Sequence, residues 1–295
     1  MPQSFGRTPS AFHLRSSLIR YSAVAMLSLS SLVCSAKTPL STATTSQAGI
    51  KNPSSSTQGF SQCPQFFANG KPPALNEQPK LRALCYDAFA ILHSGQTKTP
   101  VFVAQRLNRE LVDDADEKRT NKFFTDARLP RNERAELDDY KRSGYSRGHM
   151  APAGDMPTAQ AMAQSFSLAN MVPQSSKQNS GPWARIEKDT RSYAQRARGD
   201  VFVITGPVFA ADATSVGGNQ VQVPTFLYKL VYDVQTHRAW AHWQANDDAA
   251  RVSQPISYEE LVRRTGIEFL PGAALQTSAP LQQAAKEGDA RIQQR

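Results

Sequence analysis

The 295-residue chain contains little cysteine and no long hydrophobic segment. None of its three cysteines stands in Cys-x-x-Cys spacing, which excludes the common zinc-finger and thioredoxin-like patterns. The main apolar run, residues 21–33, spans about 13 residues, fewer than the roughly 20 that a membrane-spanning helix needs. His-Glu-x-x-His and the Walker phosphate loop are also absent, so the zinc-protease and P-loop classes of enzyme are excluded.

The first 36 residues contain basic residues but no acidic ones. Three arginines precede the apolar run 21–33, and small residues follow up to Ala36. This order is typical of a secretory signal peptide that is cleaved after Ala36. An uncleaved anchor and a lipid anchor at Cys34 are the alternatives. We therefore expect an exported protein, periplasmic or secreted, whose mature form has no membrane segment.

The balance of charge is basic, with 34 Lys and Arg residues against 25 Asp and Glu residues. Removal of residues 1–36 deletes three basic residues and lowers the formal charge from +9 to +6. A basic protein favours polyanionic partners such as nucleic acids. The alternative is an ordinary soluble surface, because a charge of this size is not specific.

Two cysteines, Cys63 and Cys85, remain after cleavage. An even pair in an exported protein indicates a disulfide, which here would close a loop of about 20 residues and stabilise the fold by roughly 3 kcal/mol. We therefore predict that this pair has a structural role.

Composition divides the chain into four parts. Residues 1–36 are the predicted signal peptide, and residues 37–62 form a disordered linker rich in Ser, Thr, Gly and Pro. Residues 63–272 form the globular domain. Residues 273–295 form a flexible, polar C-terminal tail.

Strands and helices alternate irregularly within the globular part. Strands are predicted at 99–107 and 199–207, and a strand pair at 221–232 and 237–245. A helix is predicted to begin at Asn179, which would act as its cap, and to end before a glycine. Because there is no steady βαβ order, we expect an α+β fold with a mainly antiparallel sheet.

One short stretch combines residues that suit phosphodiester chemistry. Arg147, Gly148 and His149 are consecutive, and Asn179 follows thirty residues after the histidine. A neutral imidazole can take a proton from water at neutral pH, and an amide oxygen can bind a hard metal ion. A lone histidine is more often structural, and an asparagine at a helix start is more often a cap, so both alternatives stay open at this point.

Several ordered blocks resemble the nonspecific DNA/RNA endonuclease family, which includes secreted bacterial nucleases and endonuclease G. The first block contains Arg147, Gly148 and His149, and the second begins at Asn179. The blocks lie at 143–156, 167–174, 179–187, 205–207, 223–229 and 265–269. The resemblance implies a ββα-metal (His-Me) finger within the α+β fold.

The resemblance implies a role for each residue of the site. His149 would be the general base, with its other ring nitrogen held by a backbone carbonyl, and Asn179 would be the direct protein ligand of Mg²⁺, with Mn²⁺ as a substitute. Glu187 would hold a metal-bound water. Arg191, four residues later, would stabilise charge on the phosphate, the alternative being a surface ion pair with Glu187. Arg147 would touch phosphate or orient the loop.

Gly148 is expected to adopt a backbone conformation that is closed to other residues. Other histidines are given no catalytic role: His93 is interpreted as a surface residue, and His237 and His242 as lying on opposite faces of one strand.

The chain departs from the family pattern at two places. Ser146 stands where the family usually has aspartate, which predicts altered rather than lost activity. Asn121 stands where the family has an upstream arginine, so Lys122 or Arg119 would supply that charge.

The sequence therefore predicts a Mg²⁺-dependent nonspecific endonuclease whose partners are DNA and RNA, bound through their phosphates. The alternatives are a phosphodiesterase for smaller phosphates and an inactive nucleic-acid-binding protein on the same scaffold. A protein inhibitor and the oligomeric state are not predicted.

Overall fold

The computed structural model describes residues 58–276. The predicted signal peptide lies outside the described residues, as do residues 37–57 of the predicted linker and residues 277–295 of the predicted tail. The strands are β1 (Leu81–Cys85), β2 (Ala90–Ser94), β3 (Thr99–Leu107), β4 (Ser146–His149), β5 (Met171–Gln174), β6 (Val201–Val208), β7 (Ser215–Val216), β8 (Val221–Gln222), β9 (Phe226–Asp233), β10 (Arg238–Ala245) and β11 (Ile256–Ser257). The helices are α1 (Arg109–Asp113), α2 (Leu137–Tyr140), α3 (Ala159–Ser165), α4 (Ser176–Gln178), α5 (Ala184–Arg196) and α6 (Tyr258–Thr265).

Seven strands form one sheet in the order β1-β2-β3-β6-β9-β10-β11, and every neighbouring pair is antiparallel. Two separate antiparallel pairs, β4–β5 and β7–β8, lie outside this sheet. The predicted α+β fold with a mainly antiparallel sheet is confirmed.

Both faces of the central strands are buried. In a strand, successive side chains point to opposite faces, so Leu92 and Phe102 enter one core while Ile91 and Val103 enter the other. Helix α6 packs on the first core, and α5 together with the segment after β4 packs on the second. This two-sided burial explains why both faces of β6 are mostly apolar in sequence.

Strands β4 and β5 and the helix that follows them form a ββα unit on the second face. In the strand pair, Ser146 lies opposite Gln174 and His149 lies opposite Met171. The helix runs from Ser176 to Arg196, and residues 179–183 form a π turn between α4 and α5. The predicted ββα finger is therefore present.

The helix of this unit begins earlier than the sequence predicts. Ser175, and not Asn179, is the N-cap, and its hydroxyl accepts the backbone N–H of Gln178 at 3.3 Å. Asn179 has helical angles, φ −59° and ψ −50°. Pro182 has no N–H for a helical hydrogen bond, and it lies inside the π turn. The prediction of Asn179 as a cap is wrong.

The folded domain reaches slightly beyond its predicted bounds at 63 and 272. Phe60 is buried in the first core, and the backbone N–H of Gln276 donates to the carbonyl of His237. Cys63 and Cys85 form the predicted disulfide, with their Cα atoms 5.9 Å apart. No helix among residues 58–276 has the length and apolar character to cross a membrane.

Candidate active site

His149 ends strand β4, and the residue is 7% exposed. The ring packs against Phe123, with centroids 5.9 Å apart, and edge-on against Phe166 at 5.0 Å. No hydrogen bond joins the ring to a backbone carbonyl within residues 58–276, so the partner that the resemblance implies is not found there. The buried Nε2 atom is thus left without a partner in the described part of the chain.

Burial lowers the pKa of His149 to about 3, and the positive charge of Arg119 acts in the same direction. The ring is therefore neutral at neutral pH and has an unprotonated nitrogen that can accept a proton. An anionic phosphate beside the ring would favour the protonated form and raise this pKa. Proton transfer to the ring would then become easier when a substrate is present.

Arg147 precedes His149 by two residues on β4, so the two side chains share one face of the strand. The guanidinium carbon of Arg147 lies 4.0 Å from the centroid of the Phe123 ring, the same ring that packs on His149. Phe123 therefore fixes the positions of both side chains relative to each other.

Gly148 faces the opposite side of β4. A side-chain carbon at this position would overlap the side chain of Gln174 on the paired strand. Its φ is not in the left-handed region, so the expectation of an unusual backbone conformation is wrong. The glycine is needed because two strands approach closely there.

Asn179 is the first residue of the π turn and is half-buried. Its carboxamide forms no hydrogen bond with another described residue, and it lines a cleft of about 630 Å³. We call this the basic cleft; its lining includes Arg119, Phe123, Tyr140, Lys141, Arg147 and Asn179. The cleft brings the predicted metal ligand next to the strand that carries His149.

The environment of Asn179 fits a hard cation that keeps most of its waters. An unpartnered amide oxygen is available, and Mg²⁺ commonly binds through few protein oxygens plus water and phosphate. Among the described residues, no three His, Cys, Asp or Glu side chains cluster in a way that would form a different metal site.

Glu187 lies on α5, two helical turns after Asn179, and is half-buried. Burial raises the pKa of Glu187 to about 7, although the nearby positive charges of Lys229 and Arg191 oppose this shift. Its carboxyl group can therefore change protonation near neutral pH. Such a group can accept a hydrogen bond from a bound water when it is ionised.

Arg191 does not pair with Glu187 among the described residues. Its Nη1 atom donates to Oδ1 of the buried Asp155 at 2.8 Å, and Gln105 donates to the other carboxylate oxygen at 3.3 Å. The predicted surface ion pair is therefore not formed. Asp155 ends the motif that contains His149, so this contact connects the motif to α5.

Two charged residues near the site have no predicted role. In the sequence, Asp155 stands out only as the last residue of the motif that contains His149. Lys229 lies within β9 and is 1% exposed, and its Nζ donates to the Thr205 hydroxyl at 2.7 Å. The sequence does contain a signal for Lys229, a lysine inside an otherwise apolar strand. Such a lysine indicates a polar site nearby, because a buried charge needs polar partners.

Arg119, rather than Lys122, supplies the charge near Asn121. Arg119 lines the basic cleft, and its guanidinium carbon lies 5.1 Å from the ring centroid of Phe166. Its Nε donates to the Asn121 side chain at 2.7 Å. Lys122 is exposed and does not line the cleft.

Ser146 is the central residue of Gly144-Tyr-Ser-Arg-Gly148, which matches the pattern of a hydrolase nucleophile elbow. That motif requires a serine on a sharp turn between a strand and a helix. Here Ser146 begins β4, and its hydroxyl shares a 2.8 Å hydrogen bond with that of Ser176. The geometry is not that of a serine nucleophile.

The remaining histidines lie away from this arrangement. His93, predicted to be at the surface, is fully buried, and its Nε2 lies 2.8 Å from the backbone oxygen of Glu133. The prediction is wrong because His93 lies on a strand that is covered on both sides. On β10, His242 is half-buried, while His237 is exposed in the turn before it.

Residues 69–276 match the family model described as DNA/RNA non-specific endonuclease. A mitochondrial nuclease EXOG from Danio rerio is 33% identical over 221 residues, covering 65% of this chain and 62% of the relative. The mitochondrial nuclease of Saccharomyces cerevisiae is 32% identical over 160 residues, covering 49% and 48%. A crystal structure of an EndoG/EndoGI complex has a TM-score of 0.58 at 22% identity, covering 70% of this chain and 89% of that chain.

These relatives bear on two further points. The chain spans 62% and 48% of the lengths of the two curated relatives, which are therefore longer than the matched part. The predicted periplasmic or secreted location is wrong by this comparison, since both relatives are mitochondrial nucleases. The basic, acid-free composition of residues 1–36 does not separate the two locations, because mitochondrial transit peptides share it.

Proposed function

Because the chain belongs to the DNA/RNA non-specific endonuclease family, whose members are metal-dependent nucleases, we propose that it hydrolyses phosphodiester bonds of DNA and RNA with Mg²⁺. One observation carries the proposal. His149 lies two residues after Arg147 on the same face of β4, and Arg147 lines the same cleft as the unpartnered carboxamide of Asn179. The strand that carries the proposed base thus runs along the cleft that the proposed metal ligand lines.

His149 is the proposed general base. Its neutral ring accepts a proton from the attacking water, and the water oxygen attacks phosphorus in line with the leaving 3′ oxygen. The surrounding Phe123 and Phe166 rings keep the imidazole in one orientation and limit competing water. The products would carry 5′-phosphate ends.

Asn179 is the proposed direct protein ligand of the ion, and its oxygen would hold Mg²⁺, with Mn²⁺ as a substitute. When bound, the ion supplies charge stabilisation to the phosphate and the leaving oxygen. Glu187 would accept a hydrogen bond from a water at this site, a role for which its ionised form is needed.

Arginines supply the remaining positive charge. Arg147 and Arg119 line the cleft and can contact a phosphate directly. Arg191, held by Asp155, stabilises charge that develops on the phosphate. Because these groups recognise phosphates and not bases, cleavage would depend little on sequence.

Plasmid nicking tests the proposal. The wild-type protein should nick supercoiled DNA and degrade RNA in Mg²⁺ and should stop when a chelator is added. The variants His149→Ala and Asn179→Ala should each nick plasmid at least about 100-fold more slowly than wild type, because each removes a group used in the reaction. His237→Asn and Asn132→Ala are matched controls at exposed positions.

Wild-type rates in either site variant would contradict the assignment. Rapid hydrolysis of bis-nitrophenyl phosphate without plasmid nicking would favour a phosphodiesterase for smaller phosphates. Retention of DNA without nicking, equal in wild type and His149→Ala, would indicate a binding protein. The names of the relatives support action in the mitochondrion, which fractionation of the source cells would test.

A further inference from the structure

Asn246 lies in the loop after β10 and connects that loop to the start of the helix that carries Asn179. Its side-chain Oδ1 accepts the backbone N–H of Ser175 at 2.8 Å. Its Nδ2 donates to the carbonyl oxygens of Pro173, at 3.0 Å, and Pro224, at 2.8 Å. The oxygen and both N–H groups of the carboxamide are therefore used, which fixes its orientation.

The backbone of Asn246 is held by the central sheet. Its N–H donates to the carbonyl of Thr225 at 2.9 Å, directly before β9, and Asn246 itself follows the last residue of β10. Strands β9 and β10 are paired over eight residues, so they give Asn246 a rigid support. Its side chain links this support to the β4–β5 pair, which is not part of the seven-stranded sheet.

Only Ser175 separates Asn246 from Asn179 in this chain of hydrogen bonds. The N–H of Ser175 donates to Asn246, and the carbonyl of Ser175 accepts the backbone N–H of Asn179 at 2.8 Å. A displacement of Ser175 would therefore move the backbone of Asn179 with it.

The same loop makes a second contact with the start of this helix. The Ser175 hydroxyl donates to Asp248 at 2.6 Å, and Lys177 forms an ion pair with Asp248 at 3.3 Å. Lys177 and Asp248 are both exposed, so their ion pair contributes little. Asn246 is half-buried and forms three side-chain hydrogen bonds, which makes it the main link between the loop and the helix.

We propose that Asn246 is a positioning residue for the metal ligand: it fixes Ser175 against the central sheet and thereby holds Asn179 in place. Asn246 acts through Ser175 and is not itself a ligand. An asparagine suits this position better than an aspartate, because a carboxylate would place acceptors against the carbonyl oxygens of Pro173 and Pro224. This inference rests on the proposed function, in which Asn179 binds Mg²⁺.

Amide hydrogen exchange tests the inference in metal-free protein. In Asn246→Ala, the Asn179 amide should exchange at least about tenfold faster than in wild type, because Ser175 loses its support. The amides of β6, in the middle of the sheet, should be accelerated less. Equal acceleration of the Asn179 and β6 amides would mean that Asn246 only stabilises the fold as a whole, and would overturn the inference.

Metal binding is measured with Mn²⁺ as the probe, and EPR of the free ion gives its Kd. Asn246→Ala should weaken Mn²⁺ binding by about 10-fold, the lower end of the loss that is typical when the support of a metal ligand is removed. Asn246→Asp keeps the acceptor for Ser175, loses both donors and should weaken binding similarly. Raising the Mg²⁺ concentration should restore plasmid nicking by Asn246→Ala but not by His149→Ala.

Asn108→Ala is the matched control. Asn108 is also half-buried and caps α1: its Oδ1 accepts the N–H of Leu111 at 2.9 Å, and its Nδ2 donates to Asp200 at 2.9 Å. The control should lower the Tm comparably and leave the Mn²⁺ Kd and the Asn179 exchange rate unchanged. A wild-type Mn²⁺ Kd in Asn246→Ala, or an equal loss of binding in Asn108→Ala, would overturn the inference.

The two proposals fail in different ways. If Asn179→Ala binds Mn²⁺ with the wild-type Kd, Asn179 is not the metal ligand and the proposed function is wrong as stated. If Asn179→Ala loses Mn²⁺ binding while Asn246→Ala retains it, only the positioning role of Asn246 is wrong.

Discussion

Buried hydrogen bonds and ion pairs hold the charged side chains around this site in place. Asp155 is 4% exposed and binds Arg191 and Gln105 through different carboxylate oxygens. Lys229 is similarly buried beside this cluster and donates to Thr205. Because a buried charge without a partner is expensive, each of these residues constrains the position of the next.

Asp155→Asn should lower both stability and activity. The variant removes the charge that pairs with Arg191, and we expect a loss of about 1–3 kcal/mol in the free energy of unfolding and a nicking rate at least about tenfold lower. Urea unfolding and plasmid nicking measure the two effects. Asp189→Asn, on an exposed ion pair with Arg185, should change stability by less than about 0.5 kcal/mol.

Gly148→Ala should destabilise the ββα unit. The new methyl group would overlap Gln174 across the β4–β5 pair, and overpacking of this kind costs about 1–3 kcal/mol. Gly218→Ala is the matched control, since no atom lies near the position of its added carbon. Equal Tm values for the two variants would argue against the close approach of β4 and β5 at Gly148.

Sequence and structure agree on the residues with local signals. His149 and Asn179 belong to ordered blocks; Asn179 lines the basic cleft, and His149 lies on the strand whose residues Ser146 and Arg147 line it. The Asp155–Arg191 pair was not predicted, because the two residues are 36 positions apart and only the packed α5 brings them together. The burial of His93 was likewise not predicted, because it depends on the position of β2 in the sheet and not on the residues next to His93 in sequence.

At the scale of elements, the helix after β5 sets the position of Asn179. Its first turn is capped by Ser175, whose hydroxyl also donates to Asp248 at 2.6 Å. The π turn then places Asn179 at the cleft, and such turns often occur at functional sites. The sequence indicated a helix but not this turn, because the helix was predicted to begin at Asn179.

Ser175→Ala should weaken the start of this helix. Loss of an N-cap typically costs about 1 kcal/mol, and the hydrogen bond to Asp248 is lost as well. Ser180→Ala, on the exposed side of the same helix, should cost less than about 0.5 kcal/mol. Denaturant unfolding of both variants measures the difference, and equal midpoints would contradict the role of Ser175 as cap.

At the scale of the whole molecule, burial on both faces of the sheet affects ionisation. Burial lowers the pKa of His93 to about 4, of His149 to about 3 and of His242 to about 4. Unfolded histidines titrate near pH 6.5, so below that pH the unfolded chain binds more protons than the folded chain. Glu187 acts in the opposite direction, because its folded pKa is raised to about 7.

The free energy of unfolding should therefore be highest above about pH 6.5 and should fall as the pH is lowered toward 4. The three histidines together outweigh the opposite effect of Glu187. Thermal unfolding between these values measures the Tm, and a Tm that is constant or rises on acidification would contradict the expectation. His242→Gln should flatten the dependence, whereas His237→Asn, an exposed histidine, should leave it unchanged.

Strand β1 is one end of the seven-stranded sheet, and the disulfide joins its last residue, Cys85, to Cys63 in the preceding segment. That segment runs so close that a side chain on Gly59 would contact Ala83 of β1. An open sheet edge can pair with a foreign chain and start aggregation. Because the covalent link holds this segment against the edge strand, we expect it to limit self-association as well as unfolding.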